Sequence, residues 1–160
     1  MHGKTIKNLI VGIDPGKKGA IAFLDKDTLE AEVYSMPQLT IDLVDMLKNK
    51  QKDIFFVILE KQQPYPKQGI VSTFNLGEHY GTIKGILYTL QIPYIEVSPH
   101  KWQKEIIGNK KKAKIKKLSL EKAKAFFPYL DIGKDHNKAD ALLIAEWGRR
   151  FLIAKSQELS

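Results

Sequence analysis

Four side chains of this 160-residue sequence have the types and spacing of a hard-cation site: Asp14, Glu60, His136 and Asp140. Asp14 ends the apolar run Leu9-Ile10-Val11-Gly12-Ile13 and precedes the turn pair Pro15-Gly16. Glu60 ends a second apolar run, Ile54 to Leu59. A short apolar run without alternation reads as a strand covered on both faces. Both carboxylates are therefore expected at the carboxyl ends of buried strands, where open α/β sheets place their sites. Parallel neighbours lie about 4.8 Å apart. Two carboxylates that close repel each other unless a cation or a proton lies between them. His136 and Asp140 are four residues apart, so they share a face of the helix predicted around them. Carboxylate oxygens suit Mg²⁺, with Mn²⁺ as substitute. Two such ions about 4 Å apart can clamp the attacking water and the leaving oxygen of a phosphodiester.

Each piece also has a plainer reading. An Asp before Pro-Gly suits turn chemistry, Glu60 suits a solvated strand end, and Asp135 or His136 suits a helix cap. The joint occurrence, in this order and on these elements, favours the site.

The elements that must position these groups follow from pattern. A hairpin partner to the first strand is expected at Ala20 to Leu24, and a third, edge-type strand at Leu29 to Met36, ended by Pro37. Thr40 reads as the N-cap of a helix from Ile41 to about Asn49. After Glu60, the stretch Lys61 to Gly69 has two prolines and a glycine and reads as a loop. Lys61, Tyr65 and Lys67 on it are candidate nucleic-acid contacts, with Tyr65 as a base-stacking residue. Val71 to Leu90 reads as a helix with Gly77, Gly81 and Gly85 on one face, fit for tight packing on the sheet or for a dimer contact. Ile92 to Val97 is a fifth strand. Ser98-Pro99 then starts a short helix carrying Trp102 and Ile106. A lysine-rich loop, Asn109 to Lys117, leads to a helix from Leu118 to Phe127. The last helix runs from about His136 to Lys155, with a frayed tail at 156–160. The expected architecture is α/β: a mixed five-stranded sheet, order β-β-β-α-β-α-β-α-α, with helices on both faces. One domain spans residues 1–160, with its core at about 8–155.

Net charge is +8, and its distribution is informative. Between Lys101 and Lys124 ten lysines face two glutamates, while the rest of the chain balances at sixteen residues of each sign. A basic patch on a neutral body points to a polyanion, most often nucleic acid, or else to a solvated lysine-rich surface. Lys101 and Lys104, then Lys110, Lys111 and Lys112, and then Lys114, Lys116 and Lys117 form the candidate phosphate-binding set. Lys138 joins them from the last helix. With no cysteine there is no disulfide framework, thiolate metal site or cysteine nucleophile. The polar stretch Met1 to Asn8 and the short apolar run behind it do not make a signal peptide or a membrane span. The expected location is the cytoplasm or the interior of a host cell, with an organelle or viral setting left open.

The chain resembles the RuvC-type Holliday junction resolvases of the ribonuclease H-like superfamily. Gly12-Ile13-Asp14-Pro15-Gly16 is similar to the first catalytic motif of that family and Leu59-Glu60-Lys61-Gln62 to its second. Ala139-Asp140-Ala141-Leu142-Leu143-Ile144-Ala145 is similar to its C-terminal motif. Ser98-Pro99-His100-Lys101-Trp102, Lys104 and Gly108 resemble the segment before its basic loop. The resemblance covers roughly residues 9 to 148. It implies a metal-dependent endonuclease that acts as a homodimer and nicks two strands of a four-way DNA junction symmetrically. Carried over by position, Asp14, Glu60 and Asp140 are the metal-binding carboxylates. The bacterial pattern has an acid or His three residues before the last Asp, where this chain has Asn137. In the chloroplast, poxvirus and phage-like branches the partner lies nearer four residues before, which makes His136 the fourth ligand or a general base and sets it ahead of Asp135.

Two other classes fit parts of the sequence. A non-catalytic branched-DNA-binding protein on the same fold would use the basic segment alone. The intact carboxylate trio argues against it, because without metal it repels phosphate. Flaps or forks are alternative substrates for a nuclease. An actin-like ATPase loop at Asp14 to Gly19 would need a second similar domain, for which 160 residues have no room.

Overall fold

A computed structural model describes residues 6–160, so the first five residues of the polar N-terminal stretch lie outside the described residues. Strands β1 (Leu9–Asp14), β2 (Ala20–Asp25) and β3 (Ala31–Ser35) come first, followed by α1 (Thr40–Lys50), β4 (Ile54–Glu60) and α2 (Ile70–Thr89). Then come β5 (Tyr94–Val97), α3 (Pro99–Ile106), α4 (Lys112–Phe126) and α5 (His136–Glu158). The five strands form one sheet in the order β3-β2-β1-β4-β5. Short turns make β1, β2 and β3 antiparallel. The helical crossovers make β4 parallel to β1 and β5 parallel to β4. The mixed α/β architecture expected from the sequence is the one observed.

Both faces of the sheet are covered, which explains the uninterrupted apolar runs. Val11, Ile13, Val57 and Leu59 pack with Leu43 and Leu47 of α1 and Ile83 and Leu87 of α2. Ile10, Ala22 and Ile58 point the other way, against Trp102 of α3, Ala123 of α4 and Leu142, Ala145 and Trp147 of α5. Alternate residues of one strand thus feed opposite cores. Helix α5 lies very close to β1. A Cβ at Gly12 would overlap the Ala141 carbonyl oxygen and the Ala145 amide nitrogen. A Cβ at Gly148 would come within 2.5 Å of Ile58. The missing side chains let α5 sink onto the two central strands, and Asp140 sinks with it.

Several expected details differ. Thr40 is not a cap. The Leu39 carbonyl accepts from the Asp42 and Leu43 amides, so the helix begins one residue earlier and no side chain caps it. Strand β3 starts at Ala31, because Leu29 adopts a left-handed conformation (φ 65°) within the preceding turn. Strand β5 begins at Tyr94, since Pro93 has no amide for the ladder. The lysine segment is mostly helix. Only Lys110 and Lys111 precede α4, and Ile115, Leu118, Ser119 and Ala123 form its inner face. The tail is not frayed from Ser156: α5 continues to Glu158, with a Lys155–Glu158 ion pair at 3.1 Å. Gly77, Gly81 and Gly85 do not pack on the sheet, because a Cβ at any of them would meet nothing within 4 Å.

Candidate active site

The β1–β4 register pairs Ile13 with Leu59, so Asp14 and Glu60 follow side by side at one sheet edge. Both are buried, at 9% and 8% exposure. Gly16, at φ 120°, turns the chain out of Asp14 in a conformation that favours glycine. Asp140 arrives from the first turns of α5. Burial holds all three carboxyls above their ordinary range, and repulsion by neighbouring carboxylates adds to it at Asp14 and Glu60. Burial raises Asp14 most, with the charges of Glu60, Asp140 and Asp135 adding to it, up to about 9. Glu60 is raised to about 7 by burial and Asp140, against the opposing pull of the Trp102 N–H. Asp140 is raised to about 6 by burial, against the pull of the neighbouring Ser119 hydroxyl and the charges of His136 and Lys116.

Neighbouring groups set the orientation of each acid. The Trp102 indole Nε1 donates to Glu60 Oε2 at 2.6 Å. Gln62 reaches the other oxygen, Oε1, over a long 3.5 Å. The Ser119 hydroxyl is buried beside Asp140 and closes no hydrogen bond among the described residues. Asp135 is the N-cap of α5 and accepts from the Asn137 and Lys138 amides at 3.0 Å each. His136 Nδ1 lies 3.1 Å from the Lys116 carbonyl. A carbonyl only accepts, so Nδ1 carries a proton, and in the neutral imidazole Nε2 is then the acceptor nitrogen. The two fourth-position candidates therefore differ: the charge of Asp135 acts on Asp14, and that of His136 acts on Asp140.

Among the described residues no group of three or more His, Asp or Glu side chains is placed so that it could hold a metal ion. The donor set nonetheless fits a hard divalent cation. Magnesium takes one or two carboxylates and fills its remaining positions with water and substrate phosphate.

The candidate DNA-contact residues other than Lys138 are exposed. Lys116 is near enough to Asp140 and His136 to act on both. Lys112, Lys114 and Lys117 are exposed on α4, and Lys110 and Lys111 are exposed just before it. Lys61 directly follows Glu60 and lines a cavity of about 260 Å³ with Gln63, Tyr65, Ser98, Pro99 and His100. Tyr65 is 70% exposed there. Lys67 and Lys104 are exposed, while Lys138 is half-buried in the first turn of α5. Lys101 is exposed, with its ammonium 5.8 Å from the Trp147 ring centre. Sequence reasoning named Trp102 only as a packing residue and passed over Ser119, Gln62 and the close approach at Gly12. An indole on an otherwise polar, Ser-Pro-started helix was the one available signal, because a buried indole N–H needs a partner.

No protein-family model and no curated protein matches the sequence. Solved structures do. T. thermophilus RuvC in complex with a Holliday junction substrate aligns at a TM-score of 0.64 and 18% identity, covering 91% of this chain and 94% of that one. A second Thermus thermophilus RuvC structure aligns at 0.64 and 17%, covering 91% and 96%. With the same five-stranded sheet and helices over nearly the whole length of both, the chain has the ribonuclease H-like fold of the RuvC resolvases.

Proposed function

We propose that the protein is a divalent-metal-dependent endonuclease that resolves four-way DNA junctions by paired symmetric nicks. The observation that carries this reading is the convergence of Asp14, Glu60 and Asp140 at one sheet edge, beside the lysine face of α4, on a RuvC-type fold. Asp14, Glu60 and Asp140 hold Mg²⁺, with Mn²⁺ as substitute and two ions per site, and the metal supplies charge neutralisation and an activated water. His136, through Nε2, takes the proton from the attacking water or completes the ligand set. The α4 lysines hold phosphates of the junction arms, and Lys61 and Tyr65 hold the strand leaving the site. The whole reaction is carried by one domain acting inside a cell.

Two copies pair through α2. Its exposed stripe joins Ile70, Phe74 and Tyr88 to Gly77, Gly81 and Gly85 at helical spacing. Among the described residues none covers this stripe at its glycines. Pairing there spaces two active sites for two nicks.

The test is cleavage of a labelled immobile four-way junction against linear duplex in Mg²⁺, with Asp14→Asn run alongside. Wild type gives paired nicks on the junction, and the variant loses about 10³-fold or more in rate. Tight junction binding with no cleavage in Mg²⁺ or Mn²⁺ overturns the nuclease in favour of a binding protein. Cleavage without junction selectivity leaves a nuclease for other branched DNA.

A further inference from the structure

We propose that Trp102 is a positioning residue for Glu60: its indole N–H holds Oε2 so that Oε1 faces the cation shared with Asp14 and Asp140. The inference deepens the proposed function and rests on Glu60 being a metal ligand.

The geometry is direct. Trp102 is fully buried, with its Nε1 2.6 Å from Glu60 Oε2. That distance is short for an N–H···O bond. A buried indole N–H needs some partner, but a backbone carbonyl would satisfy it equally well. Here it takes one oxygen of a catalytic carboxylate. A carboxylate held at one oxygen keeps a single rotamer and presents the other. The remaining contact on Oε1, from Gln62, is 3.5 Å and easily displaced.

The support reaches beyond the pair. Ser98 caps α3 by accepting from the Lys101 amide, and Pro99 begins the helix, which fixes the rotational phase that aims Trp102 inward. A second indole–carboxylate bond, Trp147 Nε1 to Glu105 Oε2 at 2.7 Å, pins α3 to α5. Residue 147 lies seven positions along the helix from Asp140, roughly 10 Å of rise. The two bonds are chemically alike, and only one touches the site.

The test compares wild type, Trp102→Phe and Trp147→Phe by calorimetric Mn²⁺ titration, with junction binding measured separately in the absence of metal. Trp102→Phe weakens Mn²⁺ binding about 10- to 100-fold and leaves junction affinity unchanged. In cleavage assays kcat falls and KM for the junction holds. Trp147→Phe leaves Mn²⁺ affinity unchanged, because the bond it removes is remote from the site. Glu60→Gln weakens Mn²⁺ binding, and adding Trp102→Phe weakens it no further. If Trp102→Phe unfolds, benzothienylalanine at 102 in the Trp147→Phe background deletes only the N–H and repeats the comparison. Unchanged Mn²⁺ affinity in the variant, or full additivity with Glu60→Gln, overturns the proposal. A wild type that binds Mn²⁺ without cleaving the junction sinks the nuclease reading alone. A wild type that binds no Mn²⁺ at millimolar concentration overturns both.

Discussion

Asp14 stands at the carboxyl end of the central strand with its carboxyl raised to about 9, against an ordinary value of 3.8. The sign of its effect on stability follows. Between about pH 4 and pH 9 the folded, metal-free protein holds a proton on Asp14 that the unfolded chain has released. Stability therefore falls as pH rises through that window. Glu60 and Asp140, raised to about 7 and about 6, act in the same direction. The melting temperature of the metal-free protein is expected to drop steadily from pH 5 to pH 9 in scanning fluorimetry. Asp14→Asn removes the largest of these contributions. It flattens the profile and raises the melting temperature at pH 8 by several degrees. Added Mg²⁺ does the same for the wild type, because it binds the charged form. Parallel curves for wild type and variant would show that Asp14 is not the group responsible.

At the scale of the element, α4 shows how one helix serves two purposes. Ser119 and Ala123 are buried against α5. Lys112, Lys114, Lys116 and Lys117 cover its outer faces without closing a strong ion pair; the Lys117–Glu121 pair is 4.0 Å apart between exposed ends. Surface lysines of this kind contribute little to folding and remain available to phosphate. Replacing Lys112, Lys114 and Lys117 with Gln is expected to leave the melting temperature within about 2 °C. Junction affinity falls at low salt. The slope of log affinity against log salt shrinks by roughly 0.9 for each phosphate no longer neutralised, as read by fluorescence anisotropy. An unchanged slope would place the junction arms on another surface. Lys116 is kept out of this set because its charge also acts on Asp140.

The whole molecule presents one long uncovered face. Along α2, Ile70 is 89% exposed, Phe74 69% and Tyr88 69%, in line with three glycines. An apolar stripe about 27 Å long, at 1.5 Å per residue, smooth at its three glycines, suits a second copy of the same helix. Gly81→Glu places a charge at its middle without disturbing the monomer, since the space there is open. Light scattering is expected to show a dimer for wild type and a monomer for the variant. On a junction, the monomer makes single nicks in place of paired ones. A variant that stays dimeric would move the interface elsewhere.

The residue types along the chain by themselves determined the two central strands, their terminal carboxylates, the mixed sheet and the start of α3 at Ser98-Pro99. These are local matters: an apolar run, a turn pair and a cap each act within a few residues. The same holds for the pairing of His136 with Asp140, which needs only the helical period. What the sequence could not reveal depends on contacts between segments far apart. The lysine helix was hidden because its charges mask the inner face at Ile115, Leu118, Ser119 and Ala123, which is apolar only in the presence of α5. Gly12 reads as one more residue of a strand until α5 lies across it. Trp102 and Glu60 are 42 residues apart, and nothing in either neighbourhood announces the bond between them. Helices α3, α4 and α5 must pack together before a carboxylate can be held by an indole on one side and matched with Asp140 on the other. The acids of the site are written in the strands and the last helix, whereas their orientation exists only in the packed fold.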